Sequence, residues 1–169
     1  QDHWQRSQTS SFQYEMIELG YNYRITDFQC ALGISQLQKL STFLGKRQQL
    51  ASLYDAAFAA LEYIQPLAVC PDVSHAYHLY VVRFETEILG VDRGTIFRAL
   101  RAENIGVNVH YSPVHLHPFY REHFGTGPGL CPVAEAESEK LITLPLFAQM
   151  TQFDVNDVVS AIAKLGHCL

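Results

Sequence analysis

Apolar residues recur at steps of three and four between residues 26 and 61, the spacing of one face of an α-helix. Thr26 and Gln29 form a capping-box pattern, in which each side chain bonds a free backbone amide at a helix start. We predict one long helix from Thr26 to about Leu61, with any bend or break near Gly45, because glycine costs about 1 kcal/mol relative to alanine. Arg47 fills the one polar position of the apolar stripe. Four residues of the stripe are expected to pack against a small sheet: Leu37, Leu40, Leu44 and Phe58.

Three short apolar segments have the length and composition of β-strands: His78 to Phe84, Val107 to Tyr111 and Leu141 to Leu144. Helix-start signals lie between and after them, at Asp92, Pro132 and Thr151. We therefore expect an α+β fold with a long N-terminal helix and a small, mostly antiparallel three-stranded sheet that has helices on one face.

The composition indicates a folded chain with a modest acidic charge. Of the 169 residues, 48% are hydrophobic, which supplies enough apolar surface for a buried core, and only 17% are charged. The net charge of −5, without a basic block, argues against a nucleic-acid partner. No window approaches twenty apolar residues and the N-terminus is polar, so we expect no membrane partner and a cytoplasmic location. Residues 1–13 are predicted to be a flexible lead-in to one domain over residues 14–169.

The segment from Gly20 to Arg24, just before the predicted helix cap, is a candidate binding site for an anion. In an extended segment side chains alternate in direction, so Asn22 and Arg24 are expected to point to the same side. An amide and a guanidinium near a helix N-terminus can bind phosphate oxygens. The alternative is structural: Tyr21 and Tyr23 pack, while the two polar residues meet water or a local carboxylate.

A second candidate site is the histidine-rich segment from Val107 to Tyr120. If residues 107–111 form a strand, then Asn108 and His110 share one face, where they could meet a ligand, and Tyr111 falls on the other. The histidines also raise the possibility of a metal site, but no cysteine or carboxylate joins them at a ligand spacing. For His115 and His117 we favour hydrogen bonds to backbone in a tight loop.

The segment from Leu19 to Gly33 resembles the N-Y-R-x-[ST]-[DE]-x-Q-A-A-x-G signature of the DegT/DnrJ/EryC1/StrS sugar aminotransferases. The resemblance covers residues 14 to about 166. Within the family the chain is most similar to the UDP-4-keto-6-deoxy-N-acetylhexosamine 4-aminotransferases of the pseudaminic acid pathway. The resemblance to the family continues in four further stretches: Gln36 to Tyr54, Ser74 to Tyr80, Gly106 to Tyr111, and Leu144 to Leu146.

The resemblance implies a large domain that binds pyridoxal phosphate on a lysine, followed by a small C-terminal domain that corresponds to this chain. The four lysines of the chain do not lie in the family's lysine context: Lys39, Lys46, Lys140 and Lys164. We therefore expect that the chain is a C-terminal fragment without catalytic residues, inactive by itself, whose partners are the large domain and a second subunit of a homodimer.

The resemblance also implies roles for individual residues. Asn22 would reach the cofactor phosphate in the partner subunit's active site, and Arg24 would lie near the phosphate or the nucleotide sugar. Asn108, His110 and Tyr111 would contact the sugar nucleotide. The parent reaction would transfer the amino group of glutamate to a UDP-4-keto-6-deoxy sugar. The alternative is a freestanding dimerisation or sugar-nucleotide-binding module with the same fold.

Overall fold

A computed structural model describes residues 18–168. The lead-in predicted for residues 1–13 lies outside this range, and the domain boundary at residue 14 stays a prediction. The described residues divide into two compact units, one that ends at Gln38 and one that begins at Lys39. None of the helices within residues 18–168 is long and apolar enough to cross a membrane.

The described part of the first unit contains helix α1, Asp27–Leu37. The predicted capping box is confirmed, because the Thr26 amide donates to Gln29 Oε1 at 2.9 Å and the Gln29 amide donates to Thr26 Oγ1 at 3.3 Å. The prediction of one helix through Leu61, with a break near Gly45, is wrong. Helix α2, Leu40–Phe58, is a separate element that runs through Gly45, and the break lies at residues 38–39.

The side chains on both sides of the break at residues 38–39 are exposed. Leu37 is 67% exposed and Leu40 is 46% exposed, so the burial predicted for these two side chains is wrong. Leu44 is half-buried, and the fully buried part of α2 begins at Leu50.

The second unit is built around a three-stranded antiparallel sheet, as expected. Its strands are β1, Ile64–Pro66, β2, Tyr80–Phe84, and β3, Leu141–Leu144, in the spatial order β1-β2-β3. Val82 lies opposite Pro66 on one side and Ile142 on the other. Proline is tolerated in β1 because an edge strand leaves one row of backbone amides unpaired.

The predicted strand at Val107 to Tyr111 is wrong, since only one residue pair forms, between Asn108 and Thr143. The Asn108 side chain accepts a hydrogen bond from the Val109 amide at 2.8 Å. This local bond competes with a continuing ladder. The third strand is instead β1, which the sequence did not indicate because it is only three residues long and contains Pro66.

One face of the sheet forms the core with three helices: α2, α4 (Arg93–Ala102) and α7 (Gln152–Cys168). The largest fully buried side chains come from both layers: Leu50, Tyr54, Phe58, Ile64, Val82, Phe84, Ile96, Leu100, Ile142, Met150, Val155 and Ile162. The predicted helix starts are confirmed at α4 and α7, where Asp92 and Thr151 cap the backbone.

The remaining elements of the second unit are short. Helix α3 spans Thr86–Leu89, and a 3-10 turn spans Val114–Leu116. Helix α5, Pro118–Phe124, and helix α6, Pro132–Ser138, both carry proline in the first turn, as predicted for Pro132. The turn and α6 provide part of the surroundings of the candidate site.

Candidate functional site

The face of the sheet opposite the core carries the residues that the sequence singled out. Asn108 and Thr143 exchange two backbone hydrogen bonds, of 3.1 and 2.8 Å, so their side chains lie on the same face. His110 Nδ1 is 2.8 Å from Thr143 Oγ1, and His110 Nε2 is 3.4 Å from Asn108 Nδ2. The structure therefore brings Asn108 and His110 together and fixes the imidazole plane.

A pocket of about 230 Å³ opens beside His110, between residues 109–113 and helix α6. Its lining is mainly apolar with a few polar groups: Val109, His110, Tyr111, Pro113, Ala134, Glu137, Ser138 and Leu141. Tyr111 is 77% exposed, and its ring stands perpendicular to that of His110 at 4.8 Å between centroids. Apolar walls with a few polar groups can bind a small polar ring such as a sugar.

The structure corrects one detail of this site. The strand pattern placed Tyr111 on the face opposite His110, but both residues line the pocket. Strict alternation ends because strand pairing stops after Asn108. Asn108 does not line the pocket and contacts it only through His110.

Glu137 is a pocket residue that the sequence did not identify. Its carboxylate lies 2.9 Å from Nε of Arg83, a residue on the face of β2 opposite the core. Arg83 also pairs with Glu85. Arg83 could have been noticed, since it is the charged residue in an otherwise apolar strand. Nothing in the sequence indicates that α6 lies beside this face, so Glu137 could not have been found.

His115 has a structural partner, but it is a carboxylate rather than a backbone group. Its Nε2 lies 2.8 Å from Glu135 Oε1, in the first half of α6. The Glu135 carboxylate also accepts hydrogen bonds from the Gly129 and Cys131 amides. The Gly129 amide is the largest cause, with His115 next, that lowers the pKa of Glu135 below its usual value. The His117 side chain is exposed.

In the first unit, Asn22 and Arg24 are both exposed, in a segment without helix or strand. The rings of Tyr21 and Tyr23 stack on each other at 5.3 Å and are each 85% exposed, so they do not pack into a core. The capping box already occupies the Thr26 and Gln29 amides. An anion at this position would therefore be bound by the two side chains rather than by those amides.

The lysines are distributed away from the pocket. Lys140 pairs with Glu87 at 2.7 Å and Lys164 pairs with Glu103 at 2.5 Å. The residues that line the pocket include neither of these two lysines, and they include neither Lys39 nor Lys46. Within residues 18–168, no three histidine, cysteine or acidic residues come close enough together to hold a metal ion.

Comparisons with a family model and with known proteins agree on the family that this chain resembles. Residues 2–163 match the DegT/DnrJ/EryC1/StrS aminotransferase family. The spore coat polysaccharide biosynthesis protein SpsC of Bacillus subtilis is 37% identical over 164 residues, which are 96% of this chain and 42% of that protein.

Solved structures agree with this result. PseC of Helicobacter pylori, an aminotransferase involved in pseudaminic acid biosynthesis, superposes with a TM-score of 0.81 and 26% identity, covering 96% of this chain and 43% of PseC. Spr1654 of Streptococcus pneumoniae, described as a sugar aminotransferase and solved in its PLP form, has a TM-score of 0.81 and 29% identity, covering 94% and 40%. The chain thus spans about two fifths of the length of the proteins that it matches.

Proposed function

We propose, because the chain belongs to the DegT/DnrJ/EryC1/StrS aminotransferase family, that it forms the small C-terminal domain of a nucleotide-sugar aminotransferase. The observation that carries the proposal is the family match over residues 2–163, supported by the similarity to PseC. A large domain of the same enzyme would supply the lysine that binds pyridoxal phosphate, and two subunits would form a homodimer.

The proposed reaction exchanges an amine for a ketone. The amino group of glutamate is transferred to C4 of a UDP-4-keto-6-deoxy sugar, and the keto oxygen is exchanged in return. Glutamate is oxidised to 2-oxoglutarate while the sugar ketone is reduced to an amine, so no other oxidant or reductant is needed. Pyridoxal phosphate, when bound, supplies the electron sink for this exchange, and the protein supplies binding and orientation.

Asn22 and Arg24 are proposed to bind anionic oxygens. Asn22 would donate its amide to the cofactor phosphate in the partner subunit, and Arg24 would bind that phosphate or the nucleotide sugar. Their exposure in the described chain and the occupied cap amides of α1 support side-chain rather than backbone donors. A guanidinium suits this role because its planar donors match phosphate oxygens.

The pocket is proposed to bind the sugar nucleotide. His110 and Tyr111 would contact it directly, and Asn108 would act through His110. The Thr143 hydroxyl at Nδ1 and the Asn108 amide at Nε2 hold the imidazole, which supports a fixed orientation of the His110 ring at the wall of the pocket. The mainly apolar lining supports a sugar ring rather than a diphosphate as the group inside the pocket.

The proposal is tested by assaying the full-length protein with pyridoxal phosphate, glutamate and a UDP-4-keto-6-deoxy-N-acetylhexosamine. We expect one 4-amino sugar for each 2-oxoglutarate formed. A dTDP-linked 4-keto-6-deoxyhexose serves as a matched substrate with another nucleotide, and we expect it to react more slowly. Absence of amino sugar with either substrate would overturn the proposal.

A second candidate is a freestanding dimerisation or sugar-nucleotide-binding module. It is favoured by one observation, that none of the four lysines of the chain lies in the family's lysine context. Such a module would bind a UDP-sugar without pyridoxal phosphate and without glutamate-dependent turnover in the full-length protein. Turnover in the assay above would exclude it.

A further inference from the structure

The two walls of the pocket come from different parts of the chain. One wall is residues 109–113, which leave the sheet after the Asn108 pairing and lead into the 3-10 turn Val114–Leu116. The other wall is helix α6, through Ala134, Glu137 and Ser138. Because α6 has only seven residues and none is buried, its position depends on polar contacts rather than on core packing.

Glu135 is the residue of α6 that makes the most of these contacts. It accepts hydrogen bonds from the Gly129 amide at 2.9 Å and from the Cys131 amide, at the cap of α6, at 3.1 Å. These bonds and the one from His115 lower the pKa of Glu135, so the carboxylate is ionised at neutral pH. Glu135 therefore holds the loop before α6 and the first turn of the helix together.

His115 connects this carboxylate to the opposite wall. It lies in the 3-10 turn directly after Pro113, and its Nε2 reaches Glu135 Oε1 at 2.8 Å. The His115 carbonyl accepts a hydrogen bond from the Thr126 hydroxyl at 2.7 Å, which fixes the turn on its other side. The His115 side chain is only 11% exposed, so water competes little for the contact.

We propose that Glu135 and His115 are positioning residues that set the width of the sugar-nucleotide pocket. Neither residue lines the pocket, and both act through the walls that they connect. The proposal rests on the proposed function, since it assumes that the pocket binds the sugar nucleotide. It predicts that loss of the contact weakens binding of the sugar substrate and leaves glutamate binding and the chemical step intact.

His115→Phe in the full-length protein is the first test. Phenylalanine keeps the ring volume, and Glu135 keeps its two backbone donors, so no buried carboxylate is left without a partner. We expect the KM for the UDP-sugar to rise about tenfold, because the free energy of one charge-assisted hydrogen bond no longer holds the two walls at the width that fits the sugar. The kcat and the KM for glutamate should stay within about twofold.

Two further variants separate positioning from a general structural effect. His115→Gln keeps a donor toward Glu135 and should restore the KM for the UDP-sugar to within about twofold of wild type. His123→Phe is the matched control, because His123 bonds only the Phe119 carbonyl within α5. Equal effects of the Phe and Gln substitutions at residue 115, or a KM unchanged in both, would overturn the proposal.

Hydrogen exchange tests the same contact without substrate. The Leu116 and His117 amides bond to the Pro113 and Val114 carbonyls in the turn that His115 anchors. We expect both amides to exchange faster in His115→Phe and at the wild-type rate in His115→Gln. If wild type does not use the UDP-sugar but the exchange result holds, the proposed function fails and the coupling of the two walls stands. Unchanged exchange in His115→Phe would refute the coupling.

Discussion

At the scale of single residues, Arg47 illustrates how a charged side chain can belong to an apolar helix face. The guanidinium Nη1 lies 2.8 Å from the Tyr77 carbonyl, 3.2 Å from the His78 carbonyl and 2.9 Å from the Leu146 carbonyl. It therefore joins α2 to the segments before β2 and after β3. Its aliphatic stem continues the apolar stripe while its head satisfies backbone acceptors.

Arg47→Met tests this contribution. The substitution keeps the apolar stem and leaves the carbonyls without their donor, so we expect the free energy of unfolding to fall by about 1 to 3 kcal/mol. Urea denaturation of the 169-residue chain measures this free energy. Gln49→Ala, at an exposed position of the same helix, is the control. A loss no greater than that of the control would show that water replaces the guanidinium at no cost.

The single-residue predictions from the sequence succeeded where the signal was local. Asn108 and His110 share a face because one strand pair is enough to set alternation across two residues. Tyr111 was misplaced, since a side-chain bond at Asn108 ended the pairing that alternation requires. Glu135 and Glu137 had no local signal, because their importance depends on which segment lies opposite α6.

At the scale of elements, α2 has an exposed start and a buried second half. Leu40 is at the exposed start, and Leu50 is completely buried. Periodicity places Leu40 and the buried Phe58 in one apolar stripe, but it cannot show where along the stripe the core begins. The same limit explains why the sequence did not reveal the break at residues 38–39.

Leu50→Ala and Leu40→Ala form a matched pair. We expect Leu50→Ala to lower the free energy of unfolding by about 2 to 5 kcal/mol, because it leaves a cavity in the core. Leu40→Ala should cost less than about 1 kcal/mol, since that side chain is already in contact with solvent. Urea denaturation gives both values, and equal losses would contradict the burial described for α2.

The cap of α7 predicts a dependence of stability on pH. Hydrogen bonds from the Thr151 amide first, then from its hydroxyl, lower the pKa of Asp154 below its ordinary value of 3.8. A carboxyl group whose pKa is lower in the folded state stabilises the fold above its unfolded pKa, and this contribution is lost as the pH falls through the folded pKa.

Asp154→Ala should therefore destabilise the chain near pH 7, and its difference from wild type should shrink below about pH 3.8. Thermal melts over a pH series measure the difference. Asp157→Ala, at an exposed position of the same helix, is the control. A difference that stays constant down to pH 2 would show that Asp154 acts through packing and not through its charge.

At the scale of the whole molecule, the fold class and the family could be predicted, but the arrangement of the site could not. The N-Y-R segment and the capping box at Thr26 are local patterns, so the sequence carries them completely. The pocket forms from residues 109–113 and α6, which are separated by more than one element and carry no pattern in common. Only the three-dimensional structure brings them together.

The positions of the lysines lead to a prediction for the chain by itself. None of the four lysines lies in the sequence context of the family's cofactor lysine, so we expect no glutamate-dependent amino transfer with added pyridoxal phosphate. Borohydride reduction followed by mass spectrometry measures attachment of the cofactor. Turnover accompanied by reduced cofactor on one specific lysine would contradict this expectation.

The proposed function assigns two separate binding functions to the chain, one for the cofactor phosphate at Asn22 and one for the nucleotide sugar at His110. Calorimetric titration of the full-length protein tests this assignment most directly. The variants Asn22→Ala and His110→Ala are each titrated with pyridoxal phosphate and with the UDP-sugar. Thermal melts of the apo forms measure the stability of the same variants. We predict that Asn22→Ala weakens cofactor binding about tenfold and His110→Ala weakens sugar-nucleotide binding about tenfold, with little change in melting temperature. Unchanged affinities with a lowered apo melting temperature would show that both residues are structural, and would contradict the account.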